Sequence, residues 1–179
     1  MISSTEQRAT QLRRWYAVYV RSHYERVVKE SLEGKGYSAF SPFYRLRRKR
    51  ADRTKEVVLP LFPGYVFCQF DASVRMPILA TQGVVRIVGS TSAPEPVDDT
   101  EILSIQTLVK SDRPIQPWPF LRAGQRVRII AGPLTGTMGT LLQVKNDCRL
   151  VASITLLQRS VAVEIENDSV VPVSSDVDC

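Results

Sequence analysis

Short aromatic and β-branched runs alternate with stretches of helical spacing over the first hundred residues. Trp15 to Val20 is such a run and predicts a strand. Ser22-His23-Tyr24-Glu25 follows, with Ser and Glu three positions apart in the manner of a capping box, so a helix is predicted to begin there. Val27, Val28, Ser31 and Leu32 give it one buried face, and Gly34 or Gly36 supplies its stop. Tyr37 to Tyr44 reads as extended, the cationic stretch after it as a connecting loop, and Glu56 to Leu61 and Tyr65 to Phe70 as further extended segments around Pro63-Gly64. The segment from Tyr65 is expected to be central in its sheet. A short helix near Val74 to Ala80 precedes a β-branched strand, Val84 to Val88, closed by Gly89. A second helix is predicted from about Asp99 to Val109, where Ile102, Ile105, Leu108 and Val109 form an apolar stripe.

Between Lys110 and Phe120 the pattern breaks. Pro114, Pro117 and Pro119, with Asp112, predict a semi-rigid linker without regular structure. Beyond it come Arg126 to Ile130, Thr140 to Val144, Leu150 to Ile154, Ser160 to Ile165 and Val170 to Val173, all short, β-branched and separated by Gly, Asn or Asp turns. A unit this small is near the lower limit for an independent core, so a closed barrel, which leaves no open edge, is the expected solution. The fold class is therefore α+β: an N-terminal antiparallel sheet flanked by helices over 13–110, a Pro-rich linker over 111–119, and a small SH3-like β-barrel over 120–174.

Composition excludes several classes of function. With 44% hydrophobic and 23% charged residues the chain has the make-up of a soluble globular protein. No run approaches the roughly 18 consecutive apolar residues of a membrane span. Met1 to Arg14 has no apolar core of the secretory kind, so a cytoplasmic location and no membrane partner are expected. Cys68, Cys148 and Cys179 are odd in number and widely spaced, and His23 is the single imidazole, so neither a disulfide framework nor a metal site is expected. Cys68 and Cys148 read as small apolar strand residues. No carboxylate pair, nucleophile elbow or phosphate loop accompanies His23, and the expectation is a non-enzyme without cofactors.

Charge is unevenly spread. Residues 1–55 hold 14 Lys and Arg against 5 Asp and Glu, whereas the remainder hold 10 against 13. Arg45, Arg47, Arg48, Lys49, Arg50, Arg53 and Lys55 cluster with only Asp52 among them. Such a run is either a solvated loop or a contact for a polyanion, and a polyanion contact has a steep salt dependence. Residues 120–173 carry Arg122, Arg126, Arg128, Lys145, Arg149 and Arg159 against Asp147, Glu164, Glu166 and Asp168. That small excess speaks against an autonomous RNA- or ribosome-binding barrel, the competing reading.

Four landmarks carry a resemblance. They are Trp15-Tyr16 at the first strand, Phe62-Pro63-Gly64-Tyr65-Val66-Phe67 before the central one, Gly83-Val84-Val85-Arg86 after the short helix, and the stretch from Gly124-Gln125-Arg126-Val127-Arg128-Ile129 through Ala131-Gly132-Pro133-Leu134-Thr135-Gly136-Thr137-Met138-Gly139. In this order and spacing the chain resembles the NusG family of transcription elongation factors, with an N-terminal NGN and a C-terminal KOW domain, from Trp15 to Val173.

The resemblance implies that Trp15, Tyr16, Phe62, Pro63, Gly64 and Tyr65 line an apolar depression receiving the clamp helices of RNA polymerase. By periodicity alone Phe62 and Tyr65 are ordinary core aromatics; the Pro-Gly turn, however, can aim neighbouring rings outward. Two such rings contribute about 8 to 12 kcal/mol gross, against association costs of about 4 to 15 kcal/mol. Charged neighbours must help, and Arg45 to Lys55 is placed in sequence to supply them, to upstream or non-template DNA and nascent RNA as well.

The resemblance further implies that Leu156-Leu157-Gln158-Arg159 is the loop through which the barrel meets a ribosomal protein or the Rho terminator. General NusG proteins usually show Phe-Gly-Arg here, and only Arg159 agrees, which argues against Rho. The chain thus looks like a specialised, operon-specific antiterminator of the RfaH or UpxY kind, acting as a monomer. The β-branched strands favour a constitutive barrel.

Overall fold

Strand β1, Arg14–Val20, forms where the first aromatic run predicts it, and alternation along it sorts the side chains: Tyr16, Val18 and Val20 turn to one face, Trp15 and Tyr19 to the other. The computed structural model describes residues 13–50, 53–90, 93–111, 113–118, 125–144, 147–165 and 170–172. Its contacts divide the chain into two units, Met1–Pro42 with Phe62–Asp99, and Phe43–Leu61 with Thr100–Cys179.

The first unit is built on an antiparallel sheet in the order β2, β5, β1, β6, where β2 is Ser38–Phe40, β5 Tyr65–Phe70 and β6 Val84–Ile87. The two-residue strand β7, Pro96–Val97, pairs with the start of β1. β5 and β1 are the inner strands, as expected for the run from Tyr65. Helix α1, Glu25–Gly34, covers one face, placing Val28 and Leu32 against Tyr16, Val18, Val20, Val66, Cys68 and Phe70, with Ile78 from the single-turn helix α2, Met76–Leu79. Each fully buried aliphatic side chain contributes about 1.5 to 3 kcal/mol.

Two local expectations fail here. The helix begins at Glu25, not at Ser22; its N-cap is Tyr24, which makes no side-chain cap. His23 explains the delay: it is exposed in a turn at φ 67°, outside helical geometry. Val27 is 52% exposed and leaves the buried stripe, because α1 turns Glu25, Val28 and Leu32 inward instead.

The second unit holds the cationic stretch, and it is not a loop. Strands β3, Phe43–Arg50, and β4, Arg53–Pro60, form an antiparallel hairpin in unbroken register from Phe43 opposite Pro60 to Arg50 opposite Arg53. Tyr44 faces Leu59 and Leu46 faces Val57 across it, an apolar alternation that the dense charge conceals in the sequence.

Helix α3, Asp99–Lys110, matches the second predicted helix, with Ile102, Ile105 and Leu108 buried. The C-terminal strands, β9 Gln125–Ile129, β10 Met138–Val144, β11 Asp147–Ile154, β12 Arg159–Ile165 and β13 Val170–Pro172, are joined by a sixth from the expected linker, β8 Ile115–Trp118. Proline does not exclude a strand here: β8 is at the end of the order β13, β9, β10, β11, β12, β8, where Pro117, opposite Val161, needs no outward hydrogen bond. Asp112 and Pro119 lie outside the described residues. The sheet order is an open path, and no pairing among the described residues closes it into the expected ring.

Glycine has two uses in this sheet. Gly132 and Gly136 take positive φ, 81° and 84°, in the reversal between β9 and β10. Gly139 instead permits close approach, since a Cβ there would lie 2.6 Å from the Val151 carbonyl oxygen.

Candidate functional site

Phe62-Pro63-Gly64-Tyr65 is a type II turn. Proline stands at its second position, Gly64 at its third with φ 82°, and the Tyr65 N–H closes it by donating to the Phe62 carbonyl at 3.0 Å. Gly64 is held twice more: its carbonyl accepts from the Val20 N–H at 2.9 Å, and its N–H donates to the Glu25 carboxylate at 2.8 Å.

The expectation that this turn aims both flanking rings outward fails for Phe62. Phe62 is 1% exposed and meets Phe67 edge-on, with centroids 5.3 Å apart. Tyr16 is 5% exposed and packs on Phe70 at 4.6 Å, since strand alternation sends it inward with Val18 and Val20. Burial pushes its phenol above the ordinary range, partly opposed by Arg14 and reinforced by Asp71. Trp15, Gly64 and Tyr65 are half-buried and Pro63 is exposed.

What the fold gathers around Tyr65 is a cluster that sequence reading missed. Register sets Tyr19 opposite Tyr65 on one side and opposite Arg86 on the other. The tyrosine rings are 5.4 Å apart at 56°, and the Arg86 guanidinium carbon lies 5.5 Å from the Tyr19 centroid. Tyr19 is 37% exposed and Val85 beside Arg86 is 52% exposed. A Cβ at Gly64 would come within 3.2 Å of the Tyr19 ring, so glycine lets the turn lie against it. The only trace in the sequence is that Trp15, Ala17 and Tyr19 share a face by alternation; the cross-strand partners could not be read there.

In the basic hairpin, Arg45 and Arg47 are exposed, and Arg45 pairs with Glu56 at 3.2 Å. Backbone register puts Arg48 opposite Lys55, Lys49 opposite Thr54 and Arg50 opposite Arg53. The side chains from Arg48 to Lys55, Arg53 included, and the Ala51-Asp52 connection lie outside the described residues.

Leu156 and Leu157, both half-buried, belong to a single 3-10 turn, Thr155–Leu157, followed by exposed Gln158 in the left-handed region at φ 49°, ψ 45°, and by half-buried Arg159 at the head of β12. The Glu101 carboxylate anchors this loop, accepting from the Thr155 N–H at 3.2 Å and from its hydroxyl at 2.5 Å.

Among the described residues no group of His, Cys, Asp and Glu is arranged to hold a metal ion, and no helix is long and apolar enough to cross a membrane. Cys68 is buried, and burial pushes its thiol up to about 12.

The family model described as transcription termination factor nusG matches residues 13–106, just over half of the chain. The transcription termination/antitermination protein NusG of Thermus thermophilus is 26% identical over 178 residues, covering 88% of this chain and 97% of that one. Its Staphylococcus aureus (strain Mu50) counterpart is 29% identical over 175 residues, covering 88% and 94%. A solved structure of Thermotoga maritima NusG, described by its domain interaction, covers 92% of this chain and 99% of its own, with a TM-score of 0.52 at 23% identity, a likeness of fold. By the family model and these relatives, the chain belongs to the NusG family, whose members are transcription termination/antitermination factors and not enzymes.

Proposed function

We propose that the chain binds the clamp helices of RNA polymerase through the surface centred on Tyr19 and Tyr65, with Trp15, Pro63, Gly64 and Arg86 around them. The observation that carries this reading is the tilted, partly exposed tyrosine pair with a cation over one ring, beside a turn fixed by three hydrogen bonds. Amphipathic rings held rigid by register lose little entropy on docking, which suits them to anchor a coiled coil. Tyr16 and Phe62 act from behind, as the packing that holds the surface in shape.

Residues 13–110 serve in this reading as the polymerase-binding NGN domain and 120–174 as the KOW partner-binding domain. By binding one conformation of polymerase preferentially, the protein suppresses pausing or termination. Upstream or non-template DNA and nascent RNA lie along the basic hairpin. Leucine and glutamine where Phe and Gly are usual argue for an operon-specific antiterminator of the RfaH or UpxY kind, meeting a ribosomal protein but not Rho. It acts as a monomer in the cytoplasm.

The test is retention of the protein on immobilised core polymerase. Tyr19→Ala with Tyr65→Ala is expected to lower affinity by at least about a hundredfold, the loss of two anchor residues, with an unchanged circular dichroism spectrum. Binding equal to wild type by that doubly substituted, folded protein removes the surface from consideration.

A further inference from the structure

After β6 the chain leaves the sheet and returns as β7, which pairs with the start of β1. The neck of this excursion is pinned. The Glu95 N–H donates to the Val88 carbonyl at 3.1 Å, Gly89 bridges Pro94, and the Ser90 hydroxyl accepts from the Ala93 N–H at 3.2 Å. Glycine is what fits at position 89, since a Cβ there would lie 2.5 Å from both the Ala93 carbonyl oxygen and the Glu95 nitrogen. Between this neck and α2, within the first unit, lies an open pocket of about 430 Å³ bordered by Arg75, Leu79, Arg86, Ile87, Gly89 and Pro94. That volume falls within the range of about 300 to 1,000 Å³ usual for small-molecule sites.

Its two guanidinium groups come from separate elements, Arg75 at the head of α2 and Arg86 in β6, and no carboxylate is among the described lining residues. Arg86 makes no ion pair among the described residues; its contact there is the Tyr19 ring, which offers no acceptor oxygen. The sequence carries no sign of this pairing, because the two arginines meet only through the packing of α2 beside β6.

We infer that this pocket binds a small organic phosphate of the nucleoside monophosphate class, the phosphate between Arg75 and Arg86 and the nucleoside against Leu79, Ile87 and Pro94. The inference goes beyond the polymerase reading and does not depend on it; the two surfaces share Arg86. Charge decides the head group. A phosphate monoester carries about −1.5 to −2 at neutral pH and three acceptor oxygens, which suits two guanidinium forks better than one carboxylate with its single charge. The apolar walls decide the rest. Inorganic phosphate alone leaves Leu79, Ile87 and Pro94 in water, whereas a base covers them with its face.

Isothermal titration calorimetry of the full chain tests this with adenosine 5′-monophosphate, guanosine 5′-monophosphate, adenosine and inorganic phosphate as probes. Both nucleotides are expected to bind at least about tenfold more tightly than adenosine or phosphate, each of which lacks one half of the contacts. Arg75→Gln is expected to weaken nucleotide binding at least about tenfold, the loss of a charge-assisted hydrogen bond, with an unchanged circular dichroism spectrum. Arg86→Lys, which keeps the charge and loses the fork, is expected to fall between wild type and Arg86→Gln. Arg45→Gln with Arg47→Gln, on the hairpin, is expected to leave nucleotide affinity unchanged.

Equal affinity for inorganic phosphate and the nucleotides overturns the nucleoside part of the assignment. Loss of binding in the hairpin double variant, with wild-type binding by folded Arg75→Gln and Arg86→Gln, overturns the pocket. Tighter binding of an aspartate-rich peptide than of either nucleotide overturns the phosphate. Absence of binding by both nucleotides overturns the inference as a whole, and retention on immobilised polymerase, measured separately, decides the polymerase reading on its own.

Discussion

The Glu25 carboxylate, 5% exposed, accepts the Gly64 N–H at 2.8 Å and so ties the first turn of α1 to the turn that carries Tyr65. In the sequence Glu25 reads as the partner of Ser22 in a capping box; in the fold it serves a residue 39 positions away. The bond is part-buried, and its removal takes from the Gly64 donor its carboxylate acceptor. Glu25→Ala is expected to destabilise the protein by about 1 to 3 kcal/mol in urea denaturation. Glu25→Gln, which keeps an acceptor oxygen, is expected to restore most of this. Equal stability of the alanine and glutamine variants speaks against the bond as the cause.

Phe62 and Tyr65 flank the same turn but differ in kind, and substitution separates them. Phe62→Ala opens a cavity beside Phe67 and is expected to cost about 3 to 5 kcal/mol. Tyr65→Ala is expected to cost much less stability and to weaken polymerase binding. Thermal unfolding and the retention assay, run on both single variants, distinguish the interior ring from the surface ring.

Cys68 links burial to pH. Its thiol is raised from 9.0 to about 12, so the folded state holds its proton more tightly than the unfolded state does. Its contribution is complete below about pH 9 and is lost as pH rises through 12, the unfolded chain releasing the proton first. Tyr16, also raised by burial, acts in the same direction. Stability measured by urea is therefore expected to fall across this alkaline window, and less steeply in Cys68→Ala. In a Cys148→Ser, Cys179→Ser background, Cys68 is expected to resist iodoacetamide at neutral pH until denaturant is added.

Gln158 occupies a left-handed backbone position at φ 49°, ψ 45°, a region that glycine enters without strain. A non-glycine residue there carries about 1 to 2 kcal/mol of strain, part of which glycine's freedom in the unfolded chain offsets. Gln158→Gly is expected to raise stability by about 0.5 to 1 kcal/mol. A decrease in Tm sinks this account of the loop.

Whatever depends on local pattern was already legible in the order of residues. The runs Trp15 to Val20 and Tyr65 to Phe70 dictate strands because β-branched and aromatic side chains fit a half-buried pleat, and the stripe Ile102, Ile105, Leu108 dictates a helix face. The Pro63-Gly64 pair likewise specifies its turn, since only that order suits the two dihedral sets of type II.

Everything that depends on which segments meet emerged only with the folded chain. Cross-strand register made a hairpin of a charged stretch, and an edge position made a strand of a proline-rich one. Packing turned Phe62 and Tyr16 inward while register joined Tyr19 to Tyr65 and Arg86. The physical reason is common to all of these: propensity and alternation act over a few neighbours, whereas burial and pairing are properties of residues far apart in the chain, and where the two compete the long-range terms are larger.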